Sequence, residues 1–166
     1  MVVAGKTAIA VGIGELHLTD DPSTFLVAHG LGSCVGVTAY DPARRLAALL
    51  HVMLPSSAEA RNPGPPAKYA DTGIPLMLEL LRERGADVRR LQIKAAGGSC
   101  ILVSPAFGDK FRIGERNIAA VQETLERLGL RLAGQELGGQ HGRTLELHTD
   151  TGLVTVRTIG QAAREI

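Results

Sequence analysis

Aromatic side chains and net charge are both scarce in this chain. It has no tryptophan, two tyrosines and three phenylalanines, and its 18 basic and 17 acidic side chains leave a formal net charge of +1. Nucleic-acid binding relies on a cationic surface for the phosphates and, for single strands, on aromatic rings that stack on bases. The composition therefore argues against a nucleic-acid partner.

Long apolar runs are missing as well. Polar residues such as Glu15, Asp20 and Asp21 interrupt the N-terminal region, so we predict no export signal there, and no other run is long enough to span a bilayer. We therefore expect a cytoplasmic protein without membrane insertion. Its two cysteines, Cys34 and Cys100, are too few for a disulfide framework, which agrees with a reducing compartment.

Metal ligands do not cluster along the sequence either. The two cysteines lie far apart, and no Cys-x-x-Cys or His-x-x-x-His pair occurs. Structural and catalytic zinc sites usually draw their ligands from such closely spaced pairs. We predict neither a metal site nor a cofactor.

Short apolar runs bounded by turn residues predict an α/β fold of one domain, residues 1–166. Strands are predicted within 7–16, 23–30 and 90–98, and a hairpin within 143–159. Two amphipathic helices are predicted, the first capped by Asp71 or Thr72 with Pro75 in its first turn, and ended by Gly85. The apolar stripe of the second consists of Ile118, Val121, Leu125 and Leu128, and Gly129 ends it. We expect one helical layer packed against sheet.

The stretch GLGSCVGVTAYDPARRLAALLHVMLP, residues 30–55, predicts a hairpin with chemistry on it. Asp41–Arg44 has the Asp-Pro start of a type I turn. A turn centred between Pro42 and Ala43 places Cys34 directly opposite His51, on one face of the sheet. A register one residue longer would turn the histidine to the other face.

A cysteine beside a histidine has two interpretations. As a catalytic pair, the imidazole takes the thiol proton and the thiolate attacks an electrophilic carbon, while Gly30 and Gly32 allow close approach and leave N–H groups for an oxyanion. As a structural pair, both residues are simply packed, because free cysteine is among the most buried residue types. Spacing alone does not decide between them.

Several blocks together resemble the CheD family of chemoreceptor glutamine deamidases. They are residues 30–55 and, in the same order, KYADTGIPLMLELL, IKAAGGS, IGERNIAAV and GGQHGR. The resemblance implies an α/β/β layered sandwich akin to papain-like thiol enzymes and to a deamidating bacterial toxin. It also implies a cytoplasmic enzyme that converts glutamine side chains on chemoreceptor helices to glutamate, with Cys34 as nucleophile and His51 as base, and without a cofactor.

One position departs from the family pattern. The family commonly carries a threonine six residues before the cysteine as a third catalytic member, and here that position is Ala28. The bond that orients His51 then comes from a main-chain carbonyl near Ala28, or from a substitute such as Thr38 or Ser33, or activity is reduced. His29 is a weaker candidate for the base than His51.

The proline-rich loop and the partners complete the expectations. The loop over 55–71 is predicted to flank the active-site mouth, with Lys68 and Tyr69 as substrate or partner contacts. Cys100, His141 and His148 are predicted to be structural. The alternative function is a weakly active or inactive binding module that regulates a CheC-type phosphatase of the response regulator, and the family resemblance implies that partner in either case.

Overall fold

Two β-sheets and two α-helices make up the protein in a computed structural model that describes residues 2–3, 5–101 and 112–166. The strands are β1 (Val2–Val3), β2 (Lys6–Ala10), β3 (Leu16–Thr19), β4 (Thr24–Leu31), β5 (Val35–Asp41), β6 (Leu46–Val52), β7 (Gln92–Gly97), β8 (Gly134–Leu137), β9 (Arg143–His148), β10 (Val154–Thr158) and β11 (Arg164–Glu165). The helices are α1 (Ala70–Glu83) and α2 (Ile113–Arg127), with 3₁₀ turns at Ser57–Glu59, Pro66–Lys68 and Val88–Arg90.

The five-stranded sheet, in the order β3-β6-β5-β7-β8, lies between the other layers. Its β5 residues Val35, Val37 and Ala39 pack with the apolar faces of α1 and α2. The residues on the opposite face, such as Tyr40 on β5 and Leu49 on β6, pack against the six-stranded sheet, whose order is β1-β2-β4-β9-β10-β11. The predicted α/β fold with a helical layer on sheet is therefore confirmed, and a second sheet covers the other face.

The β5–β6 hairpin forms as predicted, but its register is offset by two residues. Asp41 pairs with Leu46 and Gly36 pairs with His51, so the direct pairing of Cys34 with His51 is wrong. The loop holds four residues, 42–45, because the Asp41 carboxylate accepts a hydrogen bond from the Ala43 N–H at 3.0 Å and Arg45 adopts a left-handed φ of 51°. A shift of two preserves side-chain parity, so Cys34 and His51 still belong to the same face.

Helix α1 begins slightly before its predicted start. The residue that precedes α1 is Tyr69, not Asp71 or Thr72, and Pro75 therefore falls one turn deeper than predicted. The Asp71 carboxylate instead accepts hydrogen bonds from the Ser56 hydroxyl at 2.8 Å and the Ser57 N–H at 3.0 Å, which fixes the preceding loop. Gly85 and Gly129 follow the two helices with positive φ, as predicted, whereas Leu128 is 43% exposed and lies outside the core stripe.

Candidate active site

Cys34 and His51 lie at the seam between the two sheets. Cys34 immediately precedes β5, is half-buried and packs against the apolar cluster between the sheets. His51 is only 2% exposed and faces the same layer from β6. The predicted nucleophile and base therefore share one sheet face, as diagonal rather than direct neighbours.

The crossover from β2 to β3, residues 11–15, encloses His51. The His51 backbone N–H donates to the Glu15 carbonyl at 2.9 Å, and its carbonyl accepts from the Gly14 N–H at 2.9 Å. The imidazole Nδ1 lies 3.0 Å from the Val11 carbonyl oxygen. Val11 in turn extends the pairing of β2 with β4, since its N–H donates to the Val27 carbonyl at 2.8 Å. The imidazole on β6 of the five-stranded sheet is thus anchored to the end of β2 in the six-stranded sheet.

This anchor determines the tautomer of His51. A carbonyl oxygen only accepts hydrogen bonds, so Nδ1 carries the proton and Nε2 presents its lone pair. Nε2 is buried and has no hydrogen-bond partner among the residues that the structure describes. Burial lowers the pKa of His51, against smaller raising effects from the Val11 carbonyl and Glu15, which keeps the imidazole neutral and available as a base.

The backbone carbonyls of three consecutive residues accept the hydrogen bonds that fix the segment around Cys34. The Gly32 carbonyl accepts from the Ser99 N–H at 2.7 Å, and the Cys34 carbonyl accepts from the Gly98 N–H at 2.8 Å. The Ser33 carbonyl accepts from the Asn117 side-chain amide at 2.9 Å. The segment that carries the thiol is thereby fixed by the 97–99 turn and by α2.

The thiol of Cys34 is neutral in this arrangement. Burial raises its pKa, and the Cys34 backbone N–H lowers it by less. Among the described contacts no hydrogen bond joins Cys34 to His51. A neutral thiol beside a neutral imidazole is suited to general-base activation when a substrate arrives, because catalytic hydrogen bonds often close only in the complex.

The other residues predicted to assist are placed differently. Thr38 is 1% exposed, and its hydroxyl donates to the Lys94 carbonyl at 3.2 Å, so it is committed elsewhere. Ser33 is exposed, and Gly32 is half-buried beside Ile101. Of the alternatives for orienting His51, the structure favours a main-chain carbonyl, which comes from Val11.

The proline-rich loop returns to the site at its C-terminal end. The Lys68 carbonyl accepts from the Met53 N–H at 3.0 Å, and the Lys68 side chain lies against Gly14 of the crossover. Lys68 is therefore next to the site, and its contact role stays a prediction. Tyr69 is only 2% exposed and its ring packs inside the fold, which disfavours the contact role predicted for it.

Among the described residues, no hydrogen bond joins His29, His141, His148 or Cys100 to His51. His29 is exposed near the end of β4, and His141 is an exposed loop residue whose carbonyl accepts from the Ser99 hydroxyl at 2.7 Å. His148 stacks on Phe25 with ring centroids 5.3 Å apart. Cys100 is half-buried, and its N–H donates to the Gly139 carbonyl at 2.9 Å.

Comparison with known proteins identifies the family. A family model described as CheD chemotactic sensory transduction matches residues 53–158. A relative from Symbiobacterium thermophilum, named a probable chemoreceptor glutamine deamidase CheD, is 45% identical over 95% of this chain and 96% of its own. The chain belongs to the CheD family.

Other members of the CheD family match over nearly the whole chain as well. One from Desulforamulus reducens, a probable chemoreceptor glutamine deamidase, is 43% identical over 98% of this chain and 97% of its own. One from Halalkalibacterium halodurans, named chemoreceptor glutamine deamidase CheD, is 38% identical over 95% and 98%. The predicted family is thus confirmed, whereas the family-model match starts after Cys34 and His51 and does not address their roles.

A solved structure offers a more distant likeness. The Bacillus licheniformis hypothetical protein YfiH shares 18% identity at a TM-score of 0.43, over 73% of this chain and 49% of that one. A likeness at this level carries no argument about fold. Within the described part of this chain, no helix is long and apolar enough to cross a membrane.

Proposed function

We propose that this protein is a glutamine deamidase that acts on chemoreceptors, with Cys34 as nucleophile and His51 as general base. The observation that carries the proposal is the state of His51: its Nδ1 is engaged by the Val11 carbonyl, so the lone pair of Nε2 is left on the face shared with Cys34. Family membership and the names of the relatives support the substrate class.

The chemistry follows from these two groups. His51 Nε2 takes the thiol proton, and the Cys34 sulfur bonds to the carboxamide carbon of a glutamine side chain, giving a tetrahedral oxyanion. The oxyanion collapses, the C–N bond breaks, and the imidazolium returns the proton to the departing nitrogen, which leaves as ammonia. Water, deprotonated by His51, then attacks the thioester, and glutamate and the thiol are released.

The partner and fold assignments belong to the same proposal. The substrate glutamines lie on chemoreceptor cytoplasmic helices, and the enzyme acts in the cytoplasm without a cofactor. The layer of helices on one sheet, backed by the second sheet, supports likeness to papain-like and toxin-deamidase thiol enzymes. A CheC-type phosphatase as a further partner stays a prediction, as does the alternative of a mainly regulatory binding module.

Mass spectrometry of a receptor cytoplasmic fragment tests the proposal. Incubation with the native protein is expected to add about 1 Da at a mapped glutamine, since an amide becomes an acid through the thioester. Cys34→Ala and His51→Ala should abolish the gain, and Cys100→Ala, the matched cysteine control, should preserve it. No gain with the native protein on a folded, bound fragment would overturn the proposed activity and favour the regulatory module.

A further inference from the structure

Asn117, on α2, spans the open end of the β5–β6 hairpin behind the proposed active site. It is fully buried, and its amide nitrogen donates to the Ser33 carbonyl at 2.9 Å and to the Met53 carbonyl at 3.0 Å. Ser33 precedes Cys34, and Met53 lies two residues after His51. A single side chain therefore links the segment that carries the thiol to the strand that carries the imidazole.

The orientation of this amide is fixed by its surroundings. Two carbonyl oxygens require the NH₂ group between them, since the amide oxygen would face two acceptors if the side chain were flipped. The Asn117 Oδ1 is consequently buried with no hydrogen-bond partner among the described residues. A buried acceptor without a partner is destabilising, so the fold retains this amide at a cost that an apolar side chain would avoid.

The two hydrogen bonds of Asn117 lie just beyond the last backbone pair of the β5–β6 ladder. The last pair of the hairpin is Val35 with Val52, and beyond it the strands have no mutual register. α2 packs closely against this end. The close approach depends on Gly114, where an added Cβ would lie 2.6 Å from the Gly98 and Ser99 carbonyl oxygens. The Asn117 amide thus replaces ladder hydrogen bonds at the point where Cys34 and His51 must keep their relative position.

One of the two bonds also acts on a specific N–H group. In a trans peptide the carbonyl and the following N–H point in opposite directions, so a bond from Asn117 to the Ser33 oxygen directs the Cys34 N–H away from α2. The same N–H lowers the pKa of the Cys34 thiol, against the larger raising effect of burial. A hydrogen bond to a peptide oxygen also polarises the N–H of the same peptide, which makes it a stronger donor.

We propose that Asn117 is a positioning residue that aims and strengthens the Cys34 backbone N–H as a donor to the oxyanion of the tetrahedral intermediate. This inference rests on the proposed deamidase function, which it deepens by adding a group that acts through the backbone. Because the oxyanion exists only after attack, the effect falls on kcat rather than on substrate binding.

The test compares native protein with Asn117→Leu and with Thr124→Val, each assayed on a receptor cytoplasmic fragment. Leucine has the same number and branching of side-chain heavy atoms and no donor, and Thr124 is a buried polar residue of the same helix, two turns further on. Asn117→Leu is expected to lower kcat about tenfold to a hundredfold, less than outright loss of an oxyanion donor, with KM within about twofold. Thr124→Val should keep both constants, whatever its effect on thermal stability.

The outcomes separate this inference from the activity itself. If native protein deamidates the fragment and folded Asn117→Leu keeps kcat within about twofold, the positioning role is wrong while the deamidase stands. If native protein is inactive, both fall together. Should Asn117→Leu fail to fold, the smaller Asn117→Ala, which also has no donor, replaces it, and an unchanged kcat there overturns the inference equally. The backbone ¹⁵N shift of Cys34 must also move in the variant, since it senses the bond to the Ser33 oxygen.

Discussion

Gly36 lies directly opposite His51 in the β5–β6 ladder, and the side-chain position it leaves vacant is taken by Leu145 and Leu31 from the facing sheet. A Cβ added at Gly36 would lie 2.6 Å from Leu145 Cδ2 and 3.2 Å from Leu31 Cδ1. The absence of a side chain here lets the six-stranded sheet close over the strand that carries the proposed base. His51 is buried as a result, and its chemistry depends on how tightly the sheets pack.

Gly36→Ala is therefore expected to destabilise the protein. The extra methyl group overpacks the layer between the sheets, and such insertions typically cost about 1–3 kcal/mol. Urea unfolding followed by circular dichroism measures the loss. Gly142→Ala is the control, since an added Cβ there meets only ordinary contacts, with Ile159 Cδ1 at 3.4 Å. Equal stability of the two variants would contradict the packing described here.

Gly97→Ala is expected to displace Cys34 and to lower the deamidation rate. Gly97 has a φ of +114°, and a Cβ there would collide with the Cys34 carbonyl oxygen. The thiol would shift, and a displacement of about 1 Å at a reacting group can cost about a hundredfold in rate. Gly64→Ala shares a positive φ, +70°, but meets nothing within 4 Å, so it should keep its deamidation rate. Retained activity in Gly97→Ala would count against the placement of Cys34.

Alkylation of Cys34 should require a higher pH than alkylation of an ordinary thiol. Burial raises the pKa of Cys34 more than its own N–H lowers it, so the reactive thiolate forms only at higher pH. Iodoacetamide labelling of the folded Cys100→Ala variant at a series of pH values, followed by mass spectrometry, gives the pH midpoint of thiolate formation at Cys34. The same variant unfolded in urea should titrate near the ordinary value of about 8.5. A folded midpoint below the unfolded one would refute a raised pKa for Cys34.

The acid limb of deamidation should lie below the ordinary histidine range. Burial lowers the pKa of His51, so the base stays neutral as the pH falls past the unfolded value of about 6.5. Its contribution to stability has the same sign: it is present above the unfolded pKa and is lost as the pH falls through the folded one. A kcat/KM profile from pH 5 to 9 locates the limb, and an acid pKa above the ordinary value would be inconsistent with this site.

Ala28→Thr, which restores the residue common in the family, is expected to bring no gain in turnover. The Nδ1 proton of His51 is already accepted by the Val11 carbonyl, and Ala28 is fully buried between the sheets. Added atoms there overpack the core by about 1–3 kcal/mol. Ala28→Val, with nearly the same shape and no hydroxyl, should behave alike in kcat and in melting temperature. A rise in kcat for threonine alone would show that the hydroxyl matters.

Much of the fold follows from local sequence, and the differences have local causes. The Asp-Pro turn predicted the hairpin, but the loop length depended on the Asp41 carboxylate accepting from Ala43 and on a left-handed Arg45, which the letters alone do not specify. Asp71 is a good helix cap by type, yet its carboxylate is engaged by Ser56 and Ser57. β8, Gly134–Leu137, was not predicted because it is short and lacks an alternating apolar pattern.

The site was predictable where it depends on side chains close in sequence. Cys34 and His51 shared a face in the predicted register and share it in the observed one, because an offset of two residues preserves parity. The group that orients His51 was not predictable, since the Val11 oxygen is a backbone atom that every residue type has. Asn117 was missed because its role depends on how α2 docks; its only sequence signal is a polar residue on the buried face of an amphipathic helix.

The bond from His51 to the Val11 carbonyl also bears on which changes the family can tolerate. Position 11 contributes its oxygen whatever apolar side chain it carries, so substitutions there need not disturb the imidazole. An insertion or deletion between Ala10 and Leu16 would instead move that oxygen along the seam and leave Nδ1 without an acceptor. The length of this short crossover, more than the identity of its residues, therefore keeps the proton of His51 on Nδ1 and the lone pair on Nε2.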